Sequence, residues 1–371
     1  MTEERDFAGF VLPFAAGILL VSYLLPADIS VSYAACPVAL AATALLSVIL
    51  THPRRKNLGN SALWIIIITL GVCFGAFIGT GDIIMRISSP GQEFWEHAVR
   101  SGRKTGELID SIPFVNPQTN AVIKALVIGE RSDIPPAVAN SFRDSGASHI
   151  LALSGFHLGI VYGIGSFLLS VIGNTRFPKV VRSVVIVFFC GFYTLAAGAG
   201  ESMARAFIFI LLREAATLTH RCSGLTQVTL SAMLIQLVIS PSSITSVSFQ
   251  LSYAAVAGIA VIYPRLRSFW PGDRSSDRPA IKAVRHLWDS AALSISCQIT
   301  TCPLAWLYFK SFPRHFLLTN LLALPLTSLI IPSALLTLAL HSLGICPVIV
   351  VRITESLVTA LTFSLDVIAG M

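Results

Sequence analysis

About eleven apolar runs, each close to the length that crosses a bilayer, follow one another along this chain. They fall near 7–25, 31–50, 61–80, 147–172, 180–198, 202–218, 225–240, 247–263, 288–308, 316–341 and 348–369. A helix needs roughly 20 such residues to span the hydrocarbon core, and inside it every backbone polar group must be satisfied within the segment or by protein. Continuous runs therefore dictate helices; a transmembrane barrel would show short alternating strands. Charge usage agrees: 54% of residues are hydrophobic and 12% charged, whereas a soluble domain carries roughly twice that charge. The expected fold is an all-α polytopic membrane protein, with about 10–11 transmembrane helices and one interfacial amphipathic helix.

Loop charge orients these spans. With the N-terminus inside, the basic connections all face the cytoplasm: 52–60 (Arg54, Arg55, Lys56), 173–182 (Arg176, Lys179, Arg182), 213–224 (Arg213, Arg221) and 264–287, which holds six cations. The opposite loops 26–30, 199–201 and 241–246 have no Lys or Arg, and 309–315 has only Lys310 and Arg314. This is the positive-inside pattern, and it accounts for the net charge of +7 without invoking a nucleic-acid partner. The opening residues, MTEERDF, are acidic and no small-residue cleavage site follows, so the first run reads as a retained span. The seven cysteines (36, 73, 190, 222, 297, 302 and 346) are odd in number and scattered through apolar runs. They read as buried, inert thiols rather than a disulfide framework.

Residues 81–146 then lie outside. Ser88-Ser89-Pro90 can start a helix that ends at Pro113, with Phe94, Trp95, Ala98, Leu108, Ile109 and Ile112 at helical spacing and charges between them. Such a helix lies flat on the bilayer or packs on the protein's own outer face. A second helix is expected over 118–129, and a third after Asp133, with Pro135 or Pro136 in its first turn and Gly146 as its stop.

Polar groups inside apolar runs carry the functional signal, because they face protein or water rather than lipid. The richest stretch is FRDSGASHILALSGFHLGI at 142–160, with His149, Ser154 and His157. Ser154 and His157, three apart, are neighbours on a helix. They suggest a nucleophile and base, but Ser154 lacks the G-x-S-x-G elbow and no acid lies nearby to orient His157. Alternatively, Ser154-Gly155 unwinds the helix and presents backbone dipoles to an anion, or Gly155, Gly159 and Gly163 simply pack against another helix. In GAGESMARA at 198–206, Glu201 precedes Arg205 by four, so Arg205 is either paired there or exposed to a hydrated cavity that would suit a polyanion. Gln250 and Tyr253, then Gln298, then Asn320 interrupt three further runs, where Pro303, Pro325 and Pro332 can bend or break helices. Together these groups can wet one interior path. No histidine spacing suits a metal and no Walker-type loop suits a nucleotide, so no cofactor is expected.

The order of these motifs resembles the competence domain of the ComEC family over roughly 118–345. The matching stretches are FRDSGASHILALSGFHLGI, the small-residue stretch ending in Arg205-Ala206, FQLSYAAVAGI at 249–259, and Asn320-Leu321-Leu322 with Pro325. The resemblance implies an inner-membrane channel that passes single-stranded DNA to the cytoplasm during natural transformation. Family members usually carry an OB-fold domain, for which the outer connector has too few residues. Many also end in a metallo-β-lactamase-like nuclease, and no matching histidine/aspartate motif precedes Met371. The chain therefore reads as a membrane core: N-terminal spans over 1–85, an extracytoplasmic amphipathic connector over 86–118, and a competence-type transmembrane domain over 119–371.

On this reading the protein is a non-enzymatic, multi-pass component of the bacterial inner (plasma) membrane. His149, Ser154, His157, Arg205, Gln250, Tyr253, Gln298 and Asn320 would line the DNA path. Its partners would be single-stranded DNA, membrane lipids, and a separate DNA receptor, helicase-like motor and nuclease. The loop 264–287, with Phe269, Trp270 and Trp288 alongside its cations, would receive the emerging strand or bind anionic lipid. The rival readings are a secondary transporter or flippase for a smaller anion, disfavoured under proton coupling by the scarcity of intramembrane carboxylates, and an intramembrane Ser/His hydrolase.

Overall fold

The computed structural model describes residues 90–171, 176–219, 224–270, 278–310 and 315–371, with positions 11, 12, 14–16, 18 and 19. The spans expected over 31–50 and 61–80, most of 7–25, the basic connection 52–60 and part of 264–287 lie outside the described residues. Each of the eight remaining apolar runs contains a helix, and no strand occurs among the described residues. The protein is all-α and polytopic, as expected.

The chain divides into two compact units, one of residues 1–91 with 220–253 and one of 92–219 with 254–371. In the second, α1 is Pro90–Asp110, α2 Pro117–Val127, α3 Pro136–Asp144, α4 Ser148–Leu151 and α5 Gly155–Leu168. Then come α6 (Arg176–Ala196) and α7 (Glu201–Leu218). The first unit holds α8 (Leu225–Ile239), a 3-10 turn at Pro241–Thr245 and the start of α9 (Val247–Val261). The second resumes within α9 and continues with α10 (Tyr263–Ser268), α11 (Pro279–Phe309), α12 (Phe316–Ser342) and α13 (Val348–Ala369).

Among the described residues, four helical stretches are long and apolar enough to cross a membrane: Lys179–Ala196, Val247–Ser268, Phe316–Ser342 and Val348–Ala369. The α12–α13 hairpin is the frame of the second unit. Its turn uses Gly344 at φ 73°, a left-handed conformation that glycine adopts without steric cost. Leu318, Leu322, Leu329, Leu336 and Leu343 are exposed along one side of α12 and its end, as are Ile349, Ile353, Phe363 and Val367 on α13. An apolar stripe running the whole length of the hairpin is a lipid-facing surface. Pro325 and Pro332 do not break α12, which is a single helix of 27 residues. Hydroxyls of Ser328 and Ser333 bond back to the carbonyls of Pro325 and Ile330, so both are satisfied within the helix.

The other face of the hairpin buries the helices that precede the motif. Ile109, Ile112, Val122, Leu126, Val138 and Phe142 share one core with Ala323, Ile330, Ala334, Val358 and Leu361. In α2, Asn116 caps the first turn by accepting from Gln118 N at 3.0 Å with Pro117 following, and Ala121 through Val127 are all buried. The run 147–172 is interrupted. α4 ends at Leu151, Ala152 has an extended ψ of 122°, and α5 starts afresh at Gly155.

Candidate functional site

The signature stretch 142–160 is assembled around two turns. Gly146, at φ 84°, ends α3 and turns the chain into α4. The buried carbonyl of Ser145 accepts from Thr319 Oγ1 at 2.7 Å, which ties this turn to the first turn of α12 beside Asn320. His149 is exposed, and its Nδ1 lies 3.1 Å from Gly146 O, so it donates there and serves its own turn.

The second turn holds Ser154 and His157. Ser154 is the N-cap of α5; its backbone N–H reaches His157 Nδ1 at 3.3 Å and its hydroxyl reaches the same nitrogen at 3.0 Å. A backbone N–H can only donate, so Nδ1 is the acceptor and the ring proton resides on Nε2. His157 is 1% exposed, and Nε2 has no hydrogen-bond partner among the described residues. The hydroxyl and imidazole meet with Ser154 outside the helix, at φ −121° and ψ 169°. The pair closes a capping arrangement, and no carboxylate hydrogen-bonds the ring among the described residues.

Gly155 lets a second helix approach. A Cβ there would stand 3.1 Å from Ala206 Cβ and 3.8 Å from Arg205 Nη2. Among the described residues nothing lies within 4 Å of an equivalent Cβ at Gly159 or Gly163, so of the three glycines Gly155 makes the close contact. Arg205 is buried, at 9% exposure, and its Nη2 donates to Ser202 Oγ at 3.3 Å. The structure thus brings Ser154, His157 and Arg205 to the start of α5.

The other expected residues are placed differently. Gln250 Nε2 donates to Ile244 O at 3.0 Å and Tyr253 Oη to Gln236 Oε1 at 3.2 Å; both bonds are made within the first unit. Gln298 is half-buried on α11, where Thr300 and Thr301 bond back to Cys297 O. Asn320 is half-buried, and its Oδ1 has no hydrogen-bond partner among the described residues. In the 264–288 region the Trp270 and Trp288 rings lie 6.4 Å apart, and Arg267 Nε pairs with Asp289 at 3.4 Å.

Two buried charges escaped the sequence reading. Glu214 on α7, 5% exposed, accepts from Tyr162 Oη of α5 at 2.6 Å and from Ser183 Oγ of α6 at 2.5 Å. The Arg213 guanidinium stands 5.3 Å from the Tyr162 ring centre. One carboxylate therefore joins three helices of an apolar run, and the premise that intramembrane carboxylates are scarce needs this exception. Its signal in the sequence is an acidic residue a full turn inside the end of α7. Lys124, 6% exposed, pairs with Asp110 at 2.5 Å and Asp133 at 2.6 Å. The hydrogen bond and charge of Lys124 hold the Asp133 carboxyl below its ordinary value.

The protein family described as "Competence protein" matches residues 126–371. Among curated proteins, ComE operon protein 3 of Bacillus subtilis (strain 168) is 25% identical over 230 residues, covering 62% of this chain and 27% of that protein. The "Uncharacterized protein YcaI" of Escherichia coli (strain K12) is 26% identical over 231 residues, 61% of this chain and 30% of its own. Competence protein ComA of Neisseria gonorrhoeae is 27% identical over 221 residues, 58% of this chain and 30% of its own. The match thus spans less than a third of the length of these relatives. No solved structure matches the chain.

Proposed function

Because the chain belongs to the Competence protein family, as the match over 126–371 shows, we propose that it is the membrane core of a DNA-uptake channel. Its cargo is single-stranded DNA, carried across the bacterial inner membrane into the cytoplasm during natural transformation. The observation that carries this reading is the convergence of a buried Arg205, the N-terminal end of α5 and a buried His157 ring. A guanidinium beside the positive end of a helix favours an anion between them, and a phosphodiester is the anion a nucleic acid supplies at every step. His149, Ser154, Gln298 and Asn320 add polar lining on the same unit. A separate receptor, motor and nuclease would deliver the strand, pull it and degrade its complement.

The test is deletion in the natural host, followed by uptake of labelled DNA and transformant yield, with complementation by wild type and Arg205→Gln. Lost internalisation restored only by wild type supports the reading; unchanged uptake on deletion ends it. Purified protein should also bind phosphate-bearing oligonucleotides in a manner that weakens steeply with salt. One observation favours a hydrolase as second reading: Ser154 Oγ lies 3.0 Å from His157 Nδ1. A Ser/His hydrolase would make Ser154→Ala and His157→Gln each inactive while Arg205→Gln keeps activity.

A further inference from the structure

We propose that α1 and α2 form a re-entrant helical hairpin that enters the bilayer from the outer face and walls a water-filled route through it. The sequence had the whole connector on the outer surface; the contacts point elsewhere. The two arms touch at a few points. Asn120 Nδ2 donates to Ile109 O at 3.1 Å, Lys124 pairs with Asp110, and a Cβ at Gly106 would stand 3.2 Å from Ile128 Cδ1.

The base of the hairpin lies at the α6–α7 connection. Tyr193 Oη donates to Val127 O at 2.7 Å, and Gly102 abuts the Ala196 carbonyl. The tip, 111–116, lies at the α12–α13 connection. Ser111 Oγ is 2.9 Å from His341 Nε2, and Asn116 N donates to Glu355 Oε1 at 2.6 Å. Those two connections face opposite sides of the membrane. α6 begins in the basic stretch 176–182, so 197–200 is outside; α11 begins in the basic stretch 278–285, so α12 returns inward and 343–347 is inside.

Lengths agree. The 11 residues of α2 rise about 16 Å, and Glu355 lies seven residues, about 10 Å, inside the start of α13. Together they approach the roughly 30 Å of a hydrocarbon core. Beyond Gly102, toward the tip, the exposed side of α1 carries Glu107 and Asp110. Charges at that depth persist only where water reaches them, and re-entrant backbone occurs only inside protein or along a hydrated cavity. This placement depends on topology and not on the cargo, so it stands or falls separately from the DNA reading.

The experiment is sided labelling of the full chain with a membrane-impermeant maleimide. It uses right-side-out and inside-out membrane vesicles and peptide-resolved mass spectrometry, so that native cysteines remain. Val115→Cys, 86% exposed at the tip, should react from the cytoplasmic face and lose labelling from outside. Asp144→Cys, exposed beside the Ser145 turn, should show the reverse. Gln118→Cys, also exposed near the tip, serves as the second position if Val115→Cys fails to accumulate. Tip labelling from the outside with the pattern of Asp144→Cys overturns the hairpin, and labelling from neither face overturns its hydration.

Discussion

Removing the Glu214 carboxylate should loosen α5, α6 and α7 from one another. Its two oxygens each take one hydroxyl at 2.5–2.6 Å, the range of charge-assisted O–H···O⁻ bonds. Glu214→Leu leaves the Tyr162 and Ser183 hydroxyls with no acceptor in a site that is 5% exposed. Each orphaned group costs about 1–3 kcal/mol, so the variant should lose about 2–5 kcal/mol after crediting the removed charge. Glu214→Gln keeps a carbonyl for one hydroxyl and offers an amide to the other, which can accept because hydroxyls both donate and accept. Its loss should be about 1–2 kcal/mol. Cys190, 1% exposed in the same cluster, is a native reporter: a dye that fluoresces on reacting with thiols reads its release during thermal or denaturant unfolding in lipid nanodiscs. A double-mutant cycle with Tyr162→Phe should give a coupling of about 1–2 kcal/mol. If Glu214→Leu matches the parent, or the cycle is additive, the carboxylate does not hold these helices and the reasoning fails.

Three further outcomes are expected. Asp133 has a folded-state value lowered by Lys124, so its contribution is present above the ordinary 3.8 and lost as pH falls through the lower folded value; acid-unfolding curves of the parent should show this loss and those of Lys124→Met should lack it. Gly258→Ala should reduce the yield of folded protein, because its Cβ would run into the Ser296 carbonyl of α11, whereas Gly163→Ala, with nothing within 4 Å among the described residues, should be tolerated in size-exclusion profiles. Ser154→Ala removes a capping hydroxyl but keeps the backbone N–H to His157, and should cost about 0.5–2 kcal/mol in unfolding measurements; a larger loss would mean that the hydroxyl does more than cap.

The membrane helices were legible because hydrocarbon length and backbone satisfaction leave a chain with these runs one choice. The break at Ser154-Gly155 was legible too, since glycine beside a capping residue weakens a helix locally. The unbroken α12 was not. Two prolines read as a break until packing on α13, including the Thr337–Thr354 hydroxyl contact at 3.0 Å, holds the helix together. Gln250 and Tyr253 show the converse: polar residues in an apolar run look like a path lining, yet each bonds a neighbour within its own unit.

Hydropathy, which acts through solvent, determined from sequence alone that this chain is a bundle of membrane helices. The signature residues were likewise marked by their composition, because a polar group in lipid is costly wherever it sits. Which of them meet was decided only in three dimensions. Ser154 and His157 come together because one lies outside the helix and one inside. Arg205 reaches them because Gly155 has no side chain in the way, and Glu214 binds partners 52 and 31 residues distant. Such meetings depend on how helices cross and rotate, and short-range periodicity carries no record of that.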